Sequence, residues 1–287
     1  MNPTNTAHPG TESPRSAHNT TTNQDGAGTI LTVSKAWRTT YPQAHVGTLA
    51  MREVANPRRH PALQARKQAL EEALRARFAG QGKANLAALP AMRAYRAYYK
   101  RFKKTYHVLL QLRSVVLQGK SLPNVAALVE AMFMAELDNG LLTAGHDLDQ
   151  ALAPLTLDVA RGDERYILLN GREQELKPGD MMMADAEGGI CSVIYGSDRR
   201  TAIGPETRRV LFVVYTPAGI DVAAVHRHLE EIRDNVWLIA PEAAVEELHV
   251  YGERTQRREP HRREQTHRRK QTVLGIDTAV CITSSPT

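Results

Sequence analysis

The apolar period of this chain passes from mostly helical to mostly strand-like near Asp147, and no other feature restricts its fold as strongly. Before that point apolar residues recur at helical spacing. From Ala62 to Ala79, Leu63, Leu70, Leu74 and Phe78 share one face, Pro61 precedes the first turn and Gly80 supplies a left-handed stop. The same pattern predicts helices over Ala91–Phe102, Val108–Gln118 (ending at Gly119) and Asn124–Leu137. After Asp147 the runs shorten and become β-rich. Tyr166–Leu169 meets Asn170-Gly171, a two-residue hairpin signal. Met181–Ala184, Ile190–Tyr195 and Val210–Tyr215 read as further strands, with a turn at Glu187-Gly188-Gly189. Two short strands, Thr29–Val33 and Val46–Val54, come before the helices, and an amphipathic helix over Ile220–Asn235 comes near the end. Helices in the first half and a mostly antiparallel sheet in the second predict an α+β single domain.

Composition sets the domain limits. Residues 1–28 include 19 Asn, Gln, Ser, Thr, Gly or Pro, too polar to offset their ordering entropy, so this lead is expected to be disordered. Glu253 to Gln271 holds eight basic and three acidic residues and repels itself, so 253–287 is expected to be a disordered basic tail. Between them, 29–252 is expected to be one folded domain. The net charge of +6 is concentrated in the tail: residues 1–252 carry only +2.

Cys191 and Cys281 are the only cysteines, which argues against a disulfide framework or a Cys-rich zinc module and fits a cytoplasmic protein. The apolar runs fall short of the roughly 20 residues of a spanning helix, and no secretory leader is visible. No membrane partner, metal or cofactor is expected. The chain also lacks a G-x-x-x-x-G-K-[ST] loop, a G-x-S-x-G elbow and an H-E-x-x-H helix. His226 and His228, two apart on a helix, diverge by about 200° and are expected to be solvated rather than to share an ion. Cys191, amid apolar strand residues, is expected to be a small buried hydrophobe.

Two segments carry candidate chemistry. Arg93, Arg96, Lys100, Arg101, Lys103 and Lys104 interleave with Tyr95, Tyr98, Tyr99, Phe102 and Tyr106. Basic heads and rings together could grip RNA through phosphates and stacked bases. The rings equally recur at helical spacing and would form a buried face beneath a basic outer one. The second segment is Tyr195-Gly196-Ser197-Asp198-Arg199-Arg200-Thr201, where glycine permits close approach and arginine presents a planar fork, or where a polar turn closes on its own Asp–Arg pair. Asp147-Leu148-Asp149 could bind an amine, cap a loop or stay solvated.

Taken in order, Met92-Arg93-Ala94-Tyr95-Arg96, Gln118-Gly119-Lys120-Ser121-Leu122-Pro123-Asn124, Gly145-His146-Asp147-Leu148-Asp149, Leu157 to Glu164, Lys177-Pro178-Gly179-Asp180 and Ser197 to Ile203 form a series. With this series, about Val33 to Leu248 resembles free-standing proteins built on the B3/B4 domain of the phenylalanyl-tRNA synthetase β subunit. The resemblance implies an α+β domain that binds tRNA and hydrolyses the ester of a mischarged aminoacyl-tRNA, a deacylase without cofactor. It does not imply a complete ligase, because the class II synthetase motifs are absent. Ala144 stands where the synthetase has the histidine of its M-H-A-F-D segment, Val213 where it has the glutamate associated with tyrosine recognition, and Phe133 where related chains often have asparagine.

On that resemblance Asn124 and Asp149 are expected to hold the ammonium of the amino acid. Asp198 is expected to orient Arg199, Arg200 to contact ribose or phosphate, and Thr201 to position water or the oxyanion. Asp198 and Thr201 are thus the expected catalytic residues, and Asn124, Asp149, Arg199 and Arg200 the substrate-binding ones. Arg93, Arg96, Lys100, Lys103 and Lys104 are the expected RNA contacts. The alternative is a catalytically silent module that holds tRNA or a free amino acid. With these residues as its site, the deacylase expectation requires Asn124, Asp149 and Asp198 to Thr201 to line one recess.

Overall fold

A computed structural model describes residues 29–252. The lead and the basic tail lie outside the described residues. In chain order the elements are β1 (Leu31–Val33), α1 (Lys35–Thr40), β2 (His45–Arg52), α2 (Pro61–Arg77), α3 (Lys83–Ala88), α4 (Pro90–Arg101), α5 (His107–Gln118) and α6 (Ala127–Asn139). Then follow β3 (Thr143–Asp147), β4 (Leu155–Val159), β5 (Arg165–Ile167), β6 (Glu173–Glu175), β7 (Met181–Asp185), β8 (Gly188–Ser192), β9 (Gly196–Ser197), β10 (Arg209–Thr216), α7 (Val222–Ile239) and β11 (Ala244–Tyr251). The fold is α+β, with the helices grouped ahead of most strands.

Two sheets organise the domain. One has the order β11-β2-β10-β3 and is antiparallel throughout; the other has the order β1-β4-β7-β8-β9. Its β1–β4 pair is parallel and its remaining pairs are antiparallel. A hairpin forms at Asn170-Gly171, but with a three-residue loop in place of the expected two: Ile167 faces Glu173, the Leu168 N–H donates to the Arg172 carbonyl at 2.8 Å, and of the dipeptide only Gly171 takes a positive φ, 81°.

The helices expected from periodicity are present within a few residues, and Gly119 and Gly140 close α5 and α6 at φ 67° and 70°. Three differences have local causes. α1 and α3, six residues each, are too short for their period to register. β3 has the sequence TAGHD, whose small residues carry little strand preference, so its pairing with β10 defines it. Asn124 to Ala126 stay outside α6, where Glu130 Oε1 accepts the Val125 N–H at 2.9 Å.

Helix α4 joins the two sheets. Its aromatic residues face inward: Tyr95, Tyr98, Tyr99 and Phe102 are all buried. The Tyr95 hydroxyl donates to the Tyr215 carbonyl at 2.6 Å and accepts the Leu142 N–H at 2.9 Å, fixing adjoining ends of β10 and β3. Tyr99 donates to Val193 O at 2.8 Å and Tyr98 to Asp180 Oδ1 at 2.5 Å, both in the other sheet's region. Each such bond contributes about 1 kcal/mol net, and more where the partner is charged. On the far side, α7 lies so close to β2 that a Cβ on Gly47 would stand 2.5 Å from Val225 Cγ1.

Candidate functional site

Strand β3 ends the four-stranded sheet, so one of its edges carries no neighbouring strand of that sheet. On that edge the Thr143 N–H donates to Glu136 Oε1 at 2.7 Å and the Asp147 N–H to Thr201 O at 2.8 Å. Two-residue alternation puts the Gly145 amide between them on the same edge. The Gly145 carbonyl accepts the Ser197 hydroxyl at 3.4 Å. Beside this edge is a cavity of about 360 Å³, bounded by Thr143 to Gly145, by Cys191 to Ser197 and by Met132, Phe133 and Ile203. A side chain at position 145 would collide with the wall: a Cβ there would meet Ile203 Cδ1 at 2.5 Å and Met132 Sδ at 3.2 Å.

Most of the wall is apolar, and its polar groups are uncharged. Thr143 Oγ1 lies 2.7 Å from Nε2 of His228, a histidine fully buried in α7. Burial pulls the His228 pKa down to about 3, so the ring that backs Thr143 is neutral. The Tyr215 hydroxyl, buried beside the Cys191 thiol, has no nitrogen or oxygen partner. Burial pushes Cys191 up to about 12, which rules out a ready thiolate. His107 reaches solvent, yet its packing against Tyr99 and Tyr106 depresses its pKa by desolvation. Among the described residues no group of three or more His, Cys, Asp or Glu could hold a metal, and no helix is long and apolar enough to cross a membrane.

The structure does not gather the expected residues around this cavity. Asn124 is exposed, and its Oδ1 accepts from Lys67 Nζ at 2.7 Å in a polar cluster with Glu130. Asp149 is exposed in the turn after β3. Asp198 and Thr201 are buried and adjacent, but they are absorbed in shaping their own turn. Thr201 Oγ1 donates to Asp198 Oδ1, and its lone pair accepts the Nδ1–H of His146 at 2.7 Å. Asp198 also accepts the backbone N–H groups of Thr201 and Arg200, at 3.1 and 3.2 Å, rather than orienting Arg199, which is exposed. Arg200 spends its fork on Asp185 at 2.6 Å, Glu187 at 3.2 Å and the Gln150 carbonyl at 2.8 Å. This turn therefore supports β3 from behind through Asp147 and His146.

Of the ring-and-base helix, the geometry keeps the bases and withdraws the rings. Arg93, Arg96, Lys100, Lys103 and Lys104 are exposed, whereas the tyrosines that would have stacked on RNA bases are core. His228 is also corrected: it is buried against Thr143 rather than solvated. Sequence reasoning gave no role to Thr143, Gly145 and Tyr215; the first two had one available signal, the small pair Ala144-Gly145 set in an apolar run.

The comparisons with known proteins share one family. The model of the B3/4 domain family matches residues 91–236, half of the chain. The phenylalanine–tRNA ligase β subunit of Mycoplasma pneumoniae is 29% identical over 99 residues, 34% of this chain and 12% of that protein. That of Mycoplasma genitalium is 30% identical over 69 residues, 24% of this chain and 9% of that protein, so the chain spans about a tenth of the length of these relatives. Among solved structures, an N-terminal fragment of the phenylalanyl-tRNA synthetase β subunit from Pyrococcus horikoshii superposes with a TM-score of 0.40 at 10% identity, covering 78% of this chain and 52% of that one. The matched segment contains α4 to α6, β3 to β10 and all but the last turn of α7, and so the whole cavity wall: the chain belongs to the B3/4 domain family.

Proposed function

We propose that this protein binds aminoacyl-tRNA and hydrolyses the ester of a mischarged amino acid in the cavity beside β3. The observation that carries the reading is the coincidence of a largely apolar recess with a strand edge that no further strand of its sheet covers, inside the B3/4 segment. An aminoacyl ester is labile, so a site that fixes its geometry and stabilises the developing oxyanion needs no strong base. In this reading the Gly145 amide is the oxyanion donor, and the Thr143 hydroxyl, backed by neutral His228, holds the attacking water. Ser197 braces the strand edge. The acyl side chain lies against Phe133, Ala144 and Ile203, with Tyr215 as the buried polar partner. The RNA crosses the outer face of α4 toward its C-terminal end, past which Lys104 sits 5.3 Å above the ring of Tyr195, itself part of the cavity wall. Reduced Cys191 and a charged-tRNA substrate fit a reaction in the cytoplasm.

A panel of mischarged tRNAs incubated with wild type, Thr143→Val and Ala144→Trp tests this. The expected result is hydrolysis of at least one ester, lost when the indole of Ala144→Trp fills the recess and reduced about tenfold or more in Thr143→Val. Survival of every ester with wild-type protein overturns the enzymatic reading. A second reading, a silent module that holds aminoacyl-tRNA, is favoured by Val213 and by a cavity wall without a carboxylate. Protection of a mischarged ester by stoichiometric protein would support it.

A further inference from the structure

The folded domain is far more polarised in charge than its net value suggests. Between Glu72 and Glu130 there is no Asp or Glu, while the 57 intervening residues include 11 Lys or Arg. This segment builds the end of α2, all of α3, α4 and α5, and the start of α6. Among the described residues only Arg75 and Arg77 of these bases form ion pairs, with Glu71 and Asp138, so the segment presents a cationic face.

A second recess, of about 330 Å³, opens on this face. Ala94, Ala97, Tyr98 and Arg101 of α4 line it, opposite Tyr41 and Pro42 before β2 and Pro217 after β10. It shares no lining residue with the cavity beside β3. No residue lining it is acidic. Arg101 is exposed, yet its guanidinium carbon stands 5.5 Å from the ring centroids of Tyr41 and Tyr98 and 5.4 Å from that of Phe102. The Tyr41 ring is itself held, its hydroxyl donating to the Gly179 carbonyl. Among the described residues, Arg101 has no carboxylate or carbonyl partner for its N–H groups. A guanidinium ordered by three rings, with its donors unspent, is preorganised for an anion and can stack on a further planar group.

We propose that this second recess is a nucleotide subsite: one base of a single-stranded RNA segment seats between α4 and the Pro42 and Pro217 walls, and its phosphate pairs with Arg101. Charge complementarity selects RNA, because Arg93 and Lys100, one turn either side of the recess-lining Ala97 on α4, are exposed, as are Lys103 and Lys104 just past the helix, and neighbouring phosphates would lie on them. The proposal rests on RNA binding from the reading above but not on ester hydrolysis. It gives the RNA a second anchor, distinct from the acyl cavity.

The test is fluorescence anisotropy of the full-length chain with a short labelled single-stranded RNA ending in CCA. The variants are Arg101→Gln, Ala97→Phe to plug the recess, and Arg113→Gln, which removes the same charge from the acid-free segment on α5. Arg101→Gln and Ala97→Phe are each expected to weaken binding about tenfold, while Arg113→Gln changes it about twofold or less. Ala97 is exposed, so the plugging variant decides the matter even if Arg101→Gln fails to fold. Wild-type binding that is unchanged in Ala97→Phe, with Arg101→Gln no weaker than Arg113→Gln, overturns the subsite and leaves RNA binding and deacylation standing. Competition by an acidic peptide as strong as by unlabelled RNA overturns the nucleotide assignment. Absence of any RNA binding by wild type overturns both. Recess-dependent binding without ester hydrolysis supports the subsite while refuting the deacylase.

Discussion

Glu136→Gln is the perturbation whose size the structure sets most directly. Glu136 is buried in α6, where Oε1 accepts the Thr143 N–H at 2.7 Å and no cation lies within ion-pair distance among the described residues. Burial lifts its pKa from 4.5 to about 8, with the Thr143 N–H opposing in part. At neutral pH the folded chain therefore keeps a proton that the unfolded chain releases. The folded state binds more protons, so stability falls as pH rises between 4.5 and 8, approaching a tenfold change in the folding constant per pH unit. From about pH 6 to about pH 8 the loss amounts to about 2 kcal/mol. Glutamine accepts the same N–H and cannot ionise, so urea melts of Glu136→Gln should gain about 2 kcal/mol on wild type over that interval. Asp180 and Glu231, raised by burial to about 6 and about 7, slope the same way in both proteins and cancel in the difference. His146 and His228, pulled by burial to about 4 and about 3, remove stability only as pH falls below 6.5. Parallel stability curves for wild type and Glu136→Gln between about pH 6 and about pH 8 would refute a protonated Glu136 behind the cavity.

The remaining predictions concern packing and polar supports. Gly47→Ala drives a methyl to 2.5 Å from Val225 and 3.0 Å from Leu229, which should cost about 1–3 kcal/mol in denaturant melts. Tyr95→Phe leaves the Leu142 N–H without its partner and frees the Tyr215 carbonyl. The loss should be about 2 kcal/mol, with faster hydrogen exchange at Leu142. Asp185→Asn strips Arg200 of its closest carboxylate and weakens a cluster that also holds the Leu152 and Glu187 amides. A decrease of about 1–3 kcal/mol is expected, and a change within about 0.5 kcal/mol by the same assay would contradict it.

Local sequence was sufficient wherever one face or one turn explains the outcome. Leu63, Leu70 and Leu74 defined α2, the alternation of rings and bases defined α4, and Asn170-Gly171 defined the hairpin, because each signal is read over a few residues. The exposed bases of α4 followed from the same periodicity. Residues chosen for chemical type fared differently: Asp198, Arg200 and Asn124 are polar because they satisfy their own turn, ion cluster and loop, and composition does not distinguish such a group from one that meets a ligand.

Tertiary structure alone decided where the cavity is and what lines it. Thr143 becomes a backed hydroxyl only because α7 brings His228 to it from 85 residues away. Gly145 becomes an open strand edge only because β10, more than 60 residues later, pairs with one side of β3 and leaves the other. Arg101 becomes an ordered guanidinium only where Tyr41, from before β2, packs beneath it. Periodicity carries the identity of an element because neighbouring residues share its geometry. A site is a meeting of groups distant along the chain, and the packing of one helix against two sheets sets those meetings.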